Sequence, residues 1–343
     1  MSRPRVTVVI PCYDYGHYLP AAVRSALDQP GVEVEVIVVD DASPDGSVAV
    51  AHELAAGDAR VRVIAHAQNR GHIQTYNDGI AEATGDFVVL LSADDLLAPG
   101  SLERSTRLMR EHPRVGLVYG YAPPFTDAPP AQRRARTRFA VWPGAEWLER
   151  LCARGSNMLT NPEAILRRDV MVALGGYDPA MPHSADMDLW MRAAALADVG
   201  RVNGPDQAYY RVHDANMHLT DYSGLLTDMR AREHTFETFF DGAGRELPQS
   251  EALRARAREA IAREALRYAS TARDAGGAIG GATVEELRHY ATAVWPAIAR
   301  TRVWRRAEAA GDRPARGFAK VSAQVSERTR SALLWRRWRR YGV

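Results

Sequence analysis

Five short runs of β-branched and aliphatic residues, each set off from the next by an amphipathic stretch, constrain this chain more than anything else in it. They fall at 6–10, 34–39, 61–64, 87–91 and 115–119, with helix-patterned segments at 18–29, 46–56, 73–83 and 100–110 between them. A strand covered by helices on both faces reads as a continuous apolar run, so the pattern predicts an α/β fold with a doubly wound, mostly parallel sheet. Over 121–138 the composition shifts to Pro, Ala and Arg, which predicts a flexible loop. From 221 onward the pattern is helical, at 251–273, 284–293 and 298–309. The expected domains are therefore 1–220 and a helical C-terminal region, 221–343; no internal repeat is visible.

The formal net charge of +2 hides an asymmetry. Residues 297–343 hold 13 basic and 3 acidic side chains, a net of +10, which leaves −8 upstream. With 44 basic against 42 acidic residues, the average gives no hint of a nucleic-acid-binding chain, so nucleic acid is not an expected partner. Every basic residue except Lys320 is Arg, which removes most routes to Schiff-base or P-loop lysine chemistry. Cys12 and Cys152 lack metal-ligand spacing and are too few for a disulfide framework, which points to a reduced, cytoplasmic setting. The sequence shows neither a signal-peptide pattern nor an apolar stretch of membrane-span length, so the chain is expected to be soluble or peripheral at the inner face of the membrane.

Ligands of open α/β sheets bind beyond the carboxyl ends of the strands, and carboxylates gather there. Asp14 follows the first run, Asp40, Asp41 and Asp45 the second, and Asp94 and Asp95 the fourth. Asp45, just before Gly46, reads as a turn residue. Asp94 and Asp95 are different: adjacent carboxylates repel unless a cation or donor offsets them, and a hard divalent ion with a diphosphate suits the site. The first turn lacks Gly-x-Gly-x-x-Gly, which argues against a dinucleotide-binding domain.

In order along the chain stand Val8-Val-Ile-Pro-Cys-Tyr-Asp-Tyr-Gly-His-Tyr-Leu19, Val38-Val-Asp-Asp-Ala-Ser-Pro-Asp-Gly-Ser47, Asn69-Arg-Gly71 with Asn77, and Gly85-Asp86 leading to Ser92-Ala-Asp-Asp95. Gly175-Gly-Tyr-Asp178 and Ala185-Asp-Met-Asp-Leu-Trp190 follow. Together these resemble a family 2 glycosyltransferase of the GT-A fold over about residues 5–215. The resemblance implies an inverting transfer of a hexosyl or N-acetylhexosaminyl group from a nucleotide-diphosphate sugar, UDP-linked by expectation. The acceptor would be a hydroxyl of a glycan, glycolipid or small natural product, as in polysaccharide or natural-product biosynthesis.

By the same resemblance Pro11 and Tyr13 pack on the nucleotide, Asp41 receives the uracil N3–H and Arg70 lies near the base. Asp94 takes a Mn²⁺ or Mg²⁺ ion, with Asp95 as neighbour and His213 as a further metal or diphosphate contact. Asp186 is the expected base, removing the acceptor's proton as that oxygen attacks the anomeric carbon. The sequence departs from the family pattern at Ser92, where the metal motif commonly opens with Asp, and at Ala185, where the base commonly has an acidic neighbour.

Plainer roles stand beside these. Asp188 reads as a helix N-terminal carboxylate or an acceptor contact, His183 as a loop histidine or an acceptor contact, and Trp142 and Trp147 as acceptor contacts or core. Gly175 and Gly176 read as backbone requirements and Trp190 as core. The tail, 318–343, mixes Arg with Phe318, Trp335 and Trp338, which suits an anionic membrane surface or packing on the protein or on a second copy in a homodimer. Two other classes share parts of the pattern. A sugar nucleotidylyltransferase would usually carry a Gly-rich first loop and a catalytic Lys, and a non-catalytic nucleotide-sugar-binding protein would not need Asp186.

Overall fold

The computed structural model describes residues 2–159, 161–214, 216, 224–309, 333, 336 and 338. Contacts divide the chain into two compact units, Met1–Trp147 with Leu159–Asp214, and Leu148–Met158 with Ala215–Val343.

The first unit is α/β with a GT-A-type sheet. In chain order it runs β1 (Arg5–Cys12), α1 (Leu19–Leu27), β2 (Glu33–Asp40), α2 (Ser47–Gly57), β3 (Val61–Ala65), α3 (His72–Ala81), β4 (Phe87–Leu90), β5 (Leu96–Leu97), α4 (Ser101–Glu111), β6 (Val115–Tyr119), β7 (Pro124–Phe125) and β8 (Arg138–Trp142). Helix α5 (Gly144–Arg154), whose residues from Leu148 on belong to the second unit, is followed by β9 (Ile165–Arg167), α6 (Arg168–Leu174), α7 (Ala185–Leu196), β10 (Asp198–Asn203) and β11 (Ala208–Arg211). The main sheet has the order β3-β2-β1-β4-β9-β6-β10-β8, in which β9 and β8 are antiparallel to their neighbours and the other pairings are parallel.

The chain moves outward from β1 to β3 and then returns to place β4 on the other side of β1, which makes the carboxyl end of β1 a topological switch point. Register levels the strand ends there. Cys12 pairs with Asp40 and Asp40 with Ala65, so Tyr13, Asp41 and His66 start neighbouring loops. The central strands are apolar because both faces are covered: Val8, Val9, Ile10, Val36, Ile37, Val38 and Val39 are fully buried. Helix α3 lies so close to β1 that a Cβ on Gly79 would stand 2.3 Å from Val9 Cγ1, so only glycine fits there.

A second, three-stranded sheet sets the far side of the site. β11 pairs antiparallel with β5 and parallel with β7, joining Tyr209 to Leu96 and Arg211 to Phe125. Residues more than a hundred positions apart are thereby brought to the loop that carries Asp94 and Asp95. The segment 121–138, expected as a flexible loop, is tied down. β7 lies within it, and Arg133 donates from its backbone and its guanidinium to the buried Asp206, at 3.0 and 2.5 Å.

The second unit contains, besides residues 148–154 of α5, the helices α8 (Leu225–Asp241), α9 (Ser250–Asp274), α10 (Val284–Val294) and α11 (Arg302–Ala309). Helix α9 packs on α8 and α10 through Phe236, Phe239, Ile261, Leu266, Leu287 and Tyr290. The buried Arg232 is satisfied within this unit by Asp228, Glu264 and the Gly155 carbonyl. Most of the basic tail lies outside the described residues. Of those described, Leu333 is exposed while Trp338 is half-buried and donates its indole N–H to the Met158 carbonyl at 3.0 Å. Among the described residues no helix is long and apolar enough to cross a membrane.

Candidate active site

Asp41 stands one residue past β2 and is 2% exposed. Its Oδ1 accepts from the Arg70 amide (2.8 Å) and lies 2.7 Å from His66 Nδ1, while Oδ2 accepts from the Gly71 amide at 2.8 Å. Burial pushes this carboxyl up, but the His66 ring and the two amides outweigh it and hold it below the usual carboxylate range. Arg70 contributes its backbone here; its guanidinium pairs with Asp78 at 2.7 Å. His66 Nε2 lies 2.9 Å from the same Asp78 carboxylate, without hydrogen-bond alignment.

The loop after β1 is cross-linked to the loop after β2. Asp14 N–H donates to Ser43 Oγ at 3.1 Å, Gly16 N–H to Asp45 Oδ2 at 3.2 Å, and Ser43 Oγ in turn to Asp40 at 2.6 Å. Asp45 also accepts from the Ser47 amide at 2.9 Å, which matches its reading as a turn residue. These bonds hold Asp14 and Ala42 at φ values of 61° and 59°. Such left-handed conformations cost about 1–3 kcal/mol each and cluster where a loop must meet a ligand. Tyr13 stands one residue past β1 and is 49% exposed.

Asp94 and Asp95 are buried in the loop after β4 and face different partners. His213 Nε2 lies 3.0 Å from Asp94 Oδ2, and Asp95 Oδ1 accepts from the Arg211 amide at 2.7 Å. Arg211 also donates to the Asp94 carbonyl at 2.8 Å and stacks over Tyr18 and Phe125. Burial pushes the Asp95 carboxyl well above the usual range and the Asp94 charge adds to it; the Arg211 amide and charge oppose. The His213 ring packs edge-on against Tyr15, whose hydroxyl is pushed up to about 12 by burial and then by the Asp94 charge.

Among the described residues no three His, Cys, Asp or Glu side chains form a ready-made metal cage. The pair Asp94 and His213 nevertheless fits two ligands of a divalent ion. Adjacent ligands of an octahedral ion, each at about 2.1 Å, stand about 3.0 Å apart, and such ions keep further positions for water and phosphate oxygens.

Asp186 lies in the first turn of α7 and is half-buried. Its Oδ1 accepts from the Tyr177 hydroxyl at 2.6 Å. Burial pushes its carboxyl above the usual range, and the Tyr177 hydrogen bond and the nearby His72 offset this only in part. Tyr76 on α3 and Tyr210 on β11 both feel the charges of Asp94, Asp95 and Asp186, so each phenol lies near both carboxylate groups. Tyr76 also lies 3.3 Å from the Ser92 hydroxyl, a neutral contact at the position where the family motif commonly has an acid.

The other expected acceptor contacts fall differently. Asp188 is buried and its carboxylate is taken by Arg192 at 2.7 Å; Arg192 in turn donates to the Leu174 and Gly176 carbonyls. Through Arg192, Asp188 braces the loop before α7. Trp147 is fully buried, with its indole N–H 3.4 Å from the Tyr119 hydroxyl, and so is core. Trp142 ends edge strand β8 and stacks on Tyr119, with ring centroids 6.4 Å apart. His183 is half-buried in the loop three residues before Asp186. Trp190 is fully buried, as expected of core.

Four positions escape the sequence reading: His66, Asp78, Arg211 and the phenol of Tyr177. His66 follows β3 directly, so the strand-end rule applied to the third strand would have found it. Arg211 acts through Asp94 and Asp95, more than a hundred positions away, whereas Asp78 and Tyr177 meet partners 8 to 12 positions away.

The family model described as Glycosyl transferase family 2 matches residues 7–171. An uncharacterised glycosyltransferase of Haemophilus influenzae is 30% identical over 122 residues, which cover 36% of this chain and 49% of that one. The succinoglycan biosynthesis protein ExoO of Rhizobium meliloti is 43% identical over 101 residues, 29% of this chain and 28% of that one. The chain therefore matches less than half the length of either relative. Among solved structures, S. aureus TarS in complex with UDP-GlcNAc superposes with a TM-score of 0.57 at 15% identity, over 86% of this chain and 92% of that one. The mannosyltransferase PcManGT of Pyrobaculum calidifontis, in complex with GDP-Man and Mn²⁺, gives 0.53 at 18% identity, over 95% and 87%.

Proposed function

For a chain whose residues 7–171 belong to glycosyl transferase family 2, we propose an inverting transfer of a sugar from a uridine diphosphate donor to an acceptor hydroxyl. Asp41 recognises the base, Asp94 and His213 hold a divalent ion, and Asp186 is the base. The observation that supports this reading most is that Tyr76 and Tyr210 feel the charges of Asp94, Asp95 and Asp186 alike, so that the proposed metal ligand and the proposed base lie near the same two phenols.

The state of Asp41 supports uridine. A carboxylate offers about four lone-pair positions, and three are already taken by His66, Arg70 and Gly71. One remains, on Oδ2, which suits the single N3–H of uracil better than the paired N–H donors of guanine. Tyr13 and Pro11 supply an apolar face for the ring.

When bound at Asp94 and His213, Mn²⁺ or Mg²⁺ would neutralise the donor diphosphate and make it a better leaving group. Asp186 takes the proton of the acceptor hydroxyl as that oxygen attacks the anomeric carbon from the face opposite the diphosphate. The new C–O bond forms while the bond to the diphosphate oxygen breaks, so configuration inverts. A carboxyl raised above its ordinary value is a stronger base while still ionised near neutrality. The transferred group is a hexose or N-acetylhexosamine, and the acceptor a glycan, a glycolipid or a small natural product. The name of ExoO supports the first.

Melting points in the presence of UDP-GlcNAc, UDP-glucose, TDP-glucose and GDP-mannose, each with Mn²⁺ or with chelator, test this. A UDP-sugar at about a hundred times its Kd raises the melting point by about 5–10 °C with Mn²⁺, and chelator removes most of the rise. A larger rise with GDP-mannose overturns the base assignment. Indifference to both nucleotide and metal overturns the whole reading.

A further inference from the structure

We propose that Tyr177 is a positioning residue for Asp186, and that Asn77 fixes Tyr177 in place so that one carboxylate oxygen is held and the other is left for the acceptor. The proposal rests on the reading of Asp186 as the base. Among the described residues the Tyr177 hydroxyl is the hydrogen-bond partner of the Asp186 carboxylate, and it meets Oδ1.

The phenol is fixed from two sides. On one, the Asn77 side chain of α3 brackets the Tyr177 backbone, with Nδ2 donating to the Tyr177 carbonyl at 2.9 Å and the Tyr177 amide donating to Oδ1 at 2.8 Å. On the other, Arg192 of α7, itself held by Asp188, donates to the Leu174 and Gly176 carbonyls at 2.9 Å each. Gly176 lets the first clamp close. It sits at φ +81°, and a Cβ there would stand 2.4 Å from Asn77 Oδ1. The Tyr177 ring is buried against Tyr76, with centroids 5.1 Å apart, so the ring has little room to swing its hydroxyl away from Oδ1. This accounts for Asn77, Gly176, Tyr177 and Asp188, four residues of the sequence motifs, as one device.

A hydrogen bond donated to a carboxylate favours its charged form. The phenol thus favours the ionised form of Asp186 at a place where burial works against it. The titratable and charged groups around it are His72 and Tyr76 from α3, Tyr177 from the loop before α7, Tyr210 from β11 and, two residues on along α7, Asp188 with its partner Arg192. Of these, Tyr177 is the one bonded to the carboxylate.

The test is a carbon-detected NMR titration of the aspartate carboxyls in the full chain, with Asp186→Asn assigning the signal. In Tyr177→Phe the Asp186 midpoint rises by about one pH unit, and in Asn77→Ala it rises by less, while the Asp41 midpoint stays in place. An Asp186 midpoint unmoved in Tyr177→Phe overturns the proposal. Should that variant melt too low to titrate, Asn77→Ala carries the test, and an unmoved midpoint there overturns it equally. The titration needs neither donor nor acceptor. An unmoved midpoint therefore rejects the positioning role with glycosyl transfer left standing, whereas failure to bind any nucleotide sugar rejects the transfer reading alone.

Discussion

Two aspartates of the first unit, Asp41 and Asp186, are both withdrawn from solvent, yet their surroundings push them in opposite directions. Asp41 accepts three hydrogen bonds and is held below the usual carboxylate range; Asp186 has one phenol against its burial and is pushed above it. The contrast follows from local chain geometry. Asp41 sits opposite a loop whose two successive amides, Arg70 and Gly71, converge on it. Asp186 opens a helix, with its side chain turned to a tyrosine nine residues back. A fixed anion suits recognition of an N–H group, and a raised carboxyl suits proton removal. One residue type thereby serves both halves of the proposed reaction.

Breaking one side of the contrast gives the largest expected effect. Asp186→Asn keeps an oxygen for the Tyr177 hydroxyl but removes the base, so turnover falls by about a thousandfold, as measured by release of nucleoside diphosphate in the presence of acceptor. Near-normal turnover would remove Asp186 from the mechanism.

A smaller effect, in stability, tests whether the two shifts have opposite sign. Because the Asp41 pKa is lowered on folding, its contribution is complete above the unfolded value near ~3.9 and is lost as pH falls through the folded one. The Asp186 pKa is raised, so the favourable share belongs to the protonated form, present below the unfolded value and lost as pH rises through the folded one. Asp41→Asn should therefore melt about 2–4 °C below wild type at pH 7, with the gap closing towards pH 3. Asp186→Asn should melt at or above wild type at pH 7 and converge with it below about pH 4. Melting curves across pH 3–8 check this, and the same sign for both variants would refute the contrast.

The core strands were legible because burial on both faces leaves an unbroken apolar run. Three strands of the main sheet were not. β9 is three residues long, β10 carries Gly200 and the buried Arg201, and β8 is a half-exposed edge strand, so none shows a period to read. Within the site, Asp41 and Asp94 could be picked out because strand ends mark them, and Asp186 only because its motif resembles that of the family. The His213 contact with Asp94 spans 119 positions, and Asn77 meets Tyr177 across 100. The sequence supplies such partners without saying that they touch. Asp188 shows the reverse difficulty, since its place beside Asp186 gave no sign that Arg192 takes its carboxylate.

The division of labour between Asp41 and Asp186 is tested most directly by calorimetric titration of UDP, with Mn²⁺ present, into wild type, Asp41→Asn and Asp186→Asn. The account predicts that Asp186→Asn binds within about twofold of wild type and that Asp41→Asn binds about tenfold or more weakly. Equal losses in the two variants, or a loss confined to Asp186→Asn, would contradict it.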